Sequence, residues 1–453
     1  MSSMNRRKFI KQSVVVASAL LTMPIEVFAQ SVAKKVVIVG GGVAGATVAR
    51  YLREFIPQVA LVEITIIEPK RTYTTPFGTN EILTNMRTLE ALTVEYTELE
   101  KYIGSKIVHQ KALSIDNVNK HVLVADGTQY PYDYCIVATG IDFEYSDVVG
   151  LTSQNNAEVP HAYDMYNDGS TEQIEILKTQ LSNMENGSHV VLVAPKNSYR
   201  CPPAPYERAS QIAQFIKEHK PNSTLTIIDS KSSFAKQDSF EKAWSELYGY
   251  QTNNALIRWR AETFIDQIEI SEAGKKYLIT DEADRIEADV VSYMPTMKAS
   301  KFTYDAGLVQ SGMGAFDMAQ RWCPINPETF ESTMAGKQGI YVIGDSSRTS
   351  LPKSGYMANS QAKVCAIAIV SAIKGLTPLP ESVVTNGCYS FVGKEYAISI
   401  FQKFKLNSDK SDYTLIPQNR GTLPLEADAL WRQKEAEQGH AWYANFRRDC
   451  FGV

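Results

Sequence analysis

The sequence predicts an α/β protein, with two Rossmann-like dinucleotide-binding folds followed by a smaller C-terminal α+β domain. Three observations carry this. The apolar run Val36–Val39 leads into Gly40-Gly41-Gly42-Val43-Ala44-Gly45 and then a helical pattern. A second strand–loop–helix unit starts at Val190, yet no glycine occurs between Ser188 and Tyr248. Beyond Pro378 the chain changes to an alternating pattern and a closing segment rich in charge and aromatic rings. The expected division is 1–29 for a leader, 33–150 together with 300–376 for a split first fold, 151–299 for the second, and 377–453 for the last domain.

A chain of 453 residues, 44% of them hydrophobic, exceeds what one core supports. Its net charge of −4 speaks against nucleic-acid binding. The six cysteines are Cys135, Cys201, Cys323, Cys365, Cys388 and Cys450. None are paired at CxxC spacing and CxxCH is absent, so neither a zinc ribbon nor covalent c-type haem is encoded. The scattered histidines give no metal site.

The leader reads Asn5-Arg6-Arg7-Lys8-Phe9-Ile10-Lys11, then an apolar stretch Val14–Met23, then Val27-Phe28-Ala29. This is the pattern of a twin-arginine signal with cleavage after Ala29. The stretch is shorter than the roughly 20 residues of a spanning helix. Export to the periplasm is the expectation, and a disulfide persists in that oxidising compartment.

The first fold is justified residue by residue. Gly40 permits the tight turn, Gly42 lets backbone approach a pyrophosphate, and Gly45 lets helix and strand pack closely. The helix N-terminus favours the anion. A second strand, Leu61–Ile67, ends in Glu68, which can accept hydrogen bonds from a ribose. Further on, a hairpin around Asp126-Gly127-Thr128 leads to Tyr132-Asp133-Tyr134-Cys135-Ile136-Val137-Ala138-Thr139-Gly140. This resembles the "YD…ATG" signature of flavoproteins with two dinucleotide folds. Gly339-Ile340-Tyr341-Val342-Ile343-Gly344-Asp345 resembles their second FAD motif, in which the aspartate contacts the ribityl chain. The resemblance implies FAD and a domain split by an insertion. Cys135, mid-strand, reads as a small buried hydrophobe.

The insertion repeats the alternation: a helix over Glu172–Met184, a strand from Val190, a loop, a helix over Ala209–His219, a strand over Thr224–Asp229, and a closing strand over Ile286–Tyr293. The loop is Tyr199-Arg200-Cys201-Pro202-Pro203-Ala204-Pro205-Tyr206-Glu207-Arg208. Prolines stiffen it where a phosphate-binding loop needs glycine. No nicotinamide site is expected; a redox thiol, Cys201, stands there instead. Arg200 and Arg208 provide a cationic setting that favours thiolate. Glu207 is either a proton acceptor facing the site or a solvated carboxylate at a helix start.

In the last third, Pro352-Lys353-Ser354-Gly355-Tyr356 precedes a helix over Met357–Lys374. Lys353 and that helix N-terminus, at Gly355, suit an electron-rich flavin ring. Thr385-Asn386-Gly387-Cys388-Tyr389-Ser390 follows, then a strand over Glu395–Ile400, and a helical segment over Glu426–Phe451 suited to packing on protein.

Taken together the chain resembles the flavoprotein subunit of flavocytochrome c sulfide dehydrogenase. The sharpest parts are Arg200-Cys201-Pro202-Pro203 with Pro205–Ser210, Pro352–Tyr356 with Ala358-Asn359-Ser360-Gln361, and Cys388-Tyr389-Ser390. The resemblance implies a redox disulfide between Cys201 and Cys388 beside the flavin, Glu207 as candidate base, a small inorganic sulfur substrate, and a separate c-type cytochrome subunit as electron acceptor. One departure stands out. Members that link flavin covalently use a cysteine just before the pair matching Asn80-Glu81, and here Pro76 takes that place. FAD is therefore expected without a covalent bond. The alternatives are a quinone-reducing relative, another flavin-linked thiol or sulfur oxidase, and a non-enzymatic FAD carrier whose cysteine bridge is only structural.

Overall fold

The computed structural model describes residues 33–161, 173–310, 321–377, 382–417 and 421–453; the leader lies outside these. The uniformly apolar first run becomes strand β1 (Lys34–Val39), buried on both faces as an inner parallel strand must be. Helix α1 (Val43–Phe55) follows it and stops just short of Pro57. β1 pairs in parallel with β2 (Val62–Ile67) on one side and β3 (Tyr134–Val137) on the other.

Gly45 is where this unit is tightest. A Cβ there would lie 1.9 Å from the Gly40 carbonyl oxygen, so only glycine lets α1 seat on the turn. Gly40 itself has φ +101°, in the region that glycine tolerates.

The second unit runs α2 (Gln173–Asn183), β4 (His189–Val193), α3 (Ala204–His219), β5 (Thr224–Ile228), α4 (Gln237–Tyr248), β6 (Ile257–Arg260) and β7 (Val290–Tyr293). Its four strands form a parallel sheet in the order β6-β5-β4-β7. The sequence reading differs from this unit in three ways. Helix α3 opens at Ala204 rather than Ala209, because proline is at home in a first turn whose N–H groups need no partner. Helix α4 went unread; its Phe240 and Trp244 are buried against Phe234, and Phe234 stacks on Tyr206 with ring centroids 3.7 Å apart. The expected strand Ile286–Tyr293 is two strands. Arg285–Ala288 joins an antiparallel ribbon with Ile265–Ile270 and Lys276–Thr280, and β7 enters the parallel sheet. The switch occurs at Asp289, whose carboxylate accepts from the His189 N–H at 2.8 Å and from Lys275 at 2.5 Å.

The chain then returns to the first sheet, where β8 (Ile340–Val342) pairs with β3 and extends the order to β8-β3-β1-β2. Helix α5 (Gly355–Ile373) packs across α1; its N-cap Ser354 accepts from the Met357 N–H at 3.0 Å. The rest is a long hairpin, β9 (Val383–Gly393) and β10 (Tyr396–Leu406), covered by helix α6 (Ala429–Phe451). Asp449 near the end of α6 ties three helices together. It accepts from Tyr51 of α1 at 2.8 Å, from Asn359 of α5 at 2.8 Å and from Lys363 at 2.7 Å. Among the described residues, no helix is long and apolar enough to cross a membrane.

The close fit at Gly45 gives the first test. Gly45→Ala should lower stability by about 2 kcal/mol or more, since the clash is with backbone and cannot be relieved by a side chain turning away. A urea midpoint equal to wild type would contradict this packing.

Candidate active site

One cavity of about 450 Å³ runs between the two α/β units and beneath the C-terminal hairpin and helix. That volume lies in the ordinary range for a small-molecule site. Of the residues singled out from sequence, Gly40, Gly42, Glu68, Thr139, Gly140, Gly344, Asp345, Gly355, Cys201, Cys388 and Glu207 all line it. Gly45 acts through packing, behind the turn.

At one end is the glycine turn. Glu68 accepts from the Gly41 N–H at 2.8 Å and from the Lys70 N–H at 3.0 Å, which fixes its carboxylate at the end of β2 beside the start of α1. Gly42 caps α1 with no side chain over the helix end. Asp345 follows β8, and burial raises its pKa against the pull of Arg200 and Lys353. The bare turn, the helix start and the flanking acids fit a dinucleotide. Pro76 and Phe77 also line the cavity, and Cys201 and Cys388 are the only cysteines among its lining residues.

Lys353 departs from expectation. Its ammonium donates to the Asp345 and Ser347 carbonyls, both at 2.8 Å, and rests over the Trp322 ring at 3.7 Å. Burial lowers its pKa to about 8, with Asp345 opposing. Its charge therefore braces the turn after β8 from behind, and its side chain is absent from the cavity lining. Its place ahead of the helix was legible in the sequence; the direction of its side chain was not.

The backbone of Lys353 does reach the site. Its carbonyl accepts from the Cys201 N–H at 2.6 Å. Cys201 has φ +60°, an uncommon conformation for a residue with a side chain. Its own carbonyl accepts from the Ala204 N–H at 2.9 Å. The first-turn donors of α3 are consumed locally, since the N–H groups of Tyr206 and Glu207 both go to Pro203 and Pro205 has none. This helix start retains little with which to bind a phosphate.

Cys388 faces the same cavity from β9, opposite Ile400 of β10. Both cysteines are half-buried and both are thiols in this structure. The cationic setting expected to favour thiolate at Cys201 is outweighed. Burial pushes that thiol well above the usual range, Cys388 and Glu207 add to the rise, and Lys236 and Arg200 only oppose it.

Glu207 is 8% exposed, which rules out the solvated carboxylate. One oxygen accepts from the Phe391 N–H at 2.7 Å and the other from the Asn80 amide at 2.9 Å. The Asn80 amide is oriented in turn by fully buried Arg208, whose Nε donates to its oxygen at 3.1 Å. Burial raises the pKa of Glu207, and these donors hold it down. A carboxylate whose affinity for a proton is raised by burial is a better base than a solvated one.

Sequence reasoning missed three contributors. Asn80 was noted only as a landmark. Glu81 also lines the cavity, paired with Arg87 at 2.8 Å, and burial lifts its pKa to about 7. Lys236 lies in a polar loop that reads as solvated, yet Cys388, Glu207 and Cys201 all feel its charge. The Asn80-Glu81 pair, quoted as matching the family, was the one signal in the sequence; Lys236 left none.

Comparison with known proteins identifies the family and the fold. Residues 174–295 match the central domain of the sulfide dehydrogenase (flavocytochrome c) flavoprotein chain, and residues 380–451 match the flavin-binding domain of flavocytochrome c sulphide dehydrogenase. Residues 34–191 match the pyridine nucleotide-disulphide oxidoreductases. A sulfide dehydrogenase flavoprotein chain from Chlorobaculum thiosulfatiphilum is 47% identical over 46 residues, which is 10% of this chain and 90% of that sequence. A sulfide-quinone reductase from Aquifex aeolicus is 31% identical over 108 residues, and the match spans 24% of each chain. The solved sulfide:quinone oxidoreductase of Aquifex aeolicus superposes with a TM-score of 0.68 at 19% identity, covering 93% of both chains, and shows the shared fold. The chain belongs to the flavoprotein family of flavocytochrome c sulfide dehydrogenase, a family of oxidoreductases that bind FAD.

Proposed function

We propose that this chain oxidises sulfide or hydropolysulfide through a redox bridge between Cys201 and Cys388, with FAD as electron acceptor and a c-type cytochrome subunit as the next carrier. The observation that supports it best is the convergence of Cys201, Cys388 and Glu207, from α3's leading loop, β9 and α3, on the cavity that begins at the glycine turn. Family membership supports the sulfur chemistry, and the lack of a haem-attachment motif fits an acceptor on another chain.

In this reading Glu207 takes a proton from hydrogen sulfide and leaves hydrosulfide as the nucleophile. Hydrosulfide attacks one sulfur of the bridge. An S–S bond forms to the attacked cysteine, the bond between the cysteines breaks, and the other cysteine leaves as thiolate, so that atoms and charge balance. FAD, held by Gly40, Gly42, Glu68, Thr139, Gly140, Gly344 and Asp345, supplies the two-electron acceptor. Asn80 and Arg208 keep the carboxylate of Glu207 turned toward the cavity. With no third cysteine in the lining and Pro76 in place of the linking residue, FAD is bound without a covalent bond. Nicotinamide is not the electron source, because the α3 loop leaves few donors for its phosphates. The leader takes the protein to the periplasm. A quinone is the competing acceptor, on the strength of the fold shared with a sulfide:quinone oxidoreductase.

Anaerobic stopped-flow mixing with sulfide should bleach the flavin of the wild-type protein quickly, NADH should not, and Cys388→Ser should slow bleaching by about 100-fold or more. Bleaching should accelerate as pH rises through the raised pKa of Glu207, because the base works only when deprotonated, and Glu207→Gln should flatten that rise. Undiminished bleaching in Cys388→Ser would rule out the bridge. After acid precipitation the flavin should stay in the supernatant; flavin on the pellet would mean a covalent link. Faster reoxidation by a quinone than by cytochrome c would favour the competing acceptor.

A further inference from the structure

The two cysteines sit in unequal surroundings, and the difference comes from Lys236. This residue caps α4 with φ +63° and donates from its ammonium to the Ile398 carbonyl at 3.1 Å. Among the described residues, no carboxylate lies within 4 Å of it. Ile398 is on β10, opposite Ser390, and Cys388 is opposite Ile400. The anchoring carbonyl is therefore one strand across from Cys388 and one side-chain repeat along.

The charged and titratable groups around the ammonium are Cys388, Glu207 and Cys201, with Glu435 of α6 beyond them. Cys388 also has polar partners of its own. The Ser354 hydroxyl is in contact with it, and the Asn386 side-chain oxygen lies 3.6 Å from its sulfur, itself accepting from Ser354 at 2.8 Å. Around Cys201 the largest influences after burial are Cys388 and Glu207, which both disfavour an anion; Lys236 and Arg200 come after them. For Cys388 the order is reversed, with Lys236 the largest influence after burial and Glu207 further down.

We infer that Cys388 is the sulfur that leaves as thiolate when the bridge opens, that hydrosulfide attacks Cys201, and that Lys236 is the positioning residue whose charge makes the choice. The step is HS⁻ plus the Cys201–Cys388 disulfide giving Cys201–S–SH plus Cys388–S⁻. It rests on the proposed sulfide oxidation. Exchange favours departure of the better-stabilised thiolate, and a cation within a few ångströms of a sulfur favours its charged form by about one to three pH units. The Ser354 hydroxyl, whose proton goes to Asn386 in this structure, can rotate to donate to the departing sulfur instead.

The test maps the added sulfur. The flavin-containing protein is mixed anaerobically with one equivalent of sodium sulfide, trapped with iodoacetamide and digested for peptide mass spectrometry. The trapped persulfide is expected on the Cys201 peptide and a simple alkylated thiol on the Cys388 peptide. A persulfide on Cys388 overturns the inference and leaves sulfide oxidation standing; an untouched bridge overturns both. A second measurement addresses Lys236 directly. In the pre-reduced protein, alkylation of Cys388 should begin at lower pH than that of Cys201. Lys236→Met should move the Cys388 midpoint up by about one pH unit or more, and Lys236→Arg should restore it. A Cys388 profile unmoved by Lys236→Met removes Lys236 from the account.

Discussion

A backbone hydrogen bond, from the Cys201 N–H to the Lys353 carbonyl at 2.6 Å, ties the loop before α3 to the segment that leads into α5 and sets Cys201 in the cavity wall. The loop that precedes α3 has lost the glycines of a phosphate site. It crosses instead to the segment that caps α5, in the half of the protein that carries the dinucleotide-binding turn. The left-handed backbone at Cys201 and the three nearby prolines belong to the same device. Proline narrows the unfolded ensemble of the loop, so holding the strained cysteine costs less on folding. Everything chemical in the cavity depends on this crossing, because it brings Cys201 to the wall that faces Cys388.

The second constraint is electrostatic. A buried carboxylate is tolerated only where donors meet both of its oxygens, and Glu207 has Phe391 and Asn80 for that purpose. Phe391 is in β9, three residues beyond Cys388, so the strand that carries one cysteine also positions the carboxylate of Glu207. Asn80 comes from the first α/β unit and Arg208 from α3. Three separate stretches of chain must be in register before Glu207 is set. The same holds for charge: Lys236, Glu207 and the cysteine pair form one compensated cluster, in which protonation of any member alters the others.

The parts legible in the sequence were those encoded locally. The glycine turn, the acid after β8 and the prolines that follow Cys201 are each announced within a dozen residues, and Glu68 by its place at the end of the next strand. The parts that were not legible depend on direction or distance. Lys353 precedes a helix as read, but its side chain turns to the carbonyls behind the flavin-binding turn. Lys236 looks like a surface lysine until α4, itself unread, folds it over the hairpin. The strand break at Asp289 follows from a backbone N–H of β4, a hundred residues earlier in the chain. Glu81 and Asn80 belong to a short 3-10 helix, Thr79–Thr84, with no periodic signal.

The flavin and the cysteine pair are proposed to form one electron-accepting unit. Anaerobic reductive titration with dithionite tests it most directly, with flavin absorbance and free thiols followed together. Wild-type protein should take up one electron pair more than its flavin content accounts for, with two thiols appearing, and Cys388→Ser should take up only what its flavin holds. Equal uptake by the two proteins, matching flavin alone, would contradict the account.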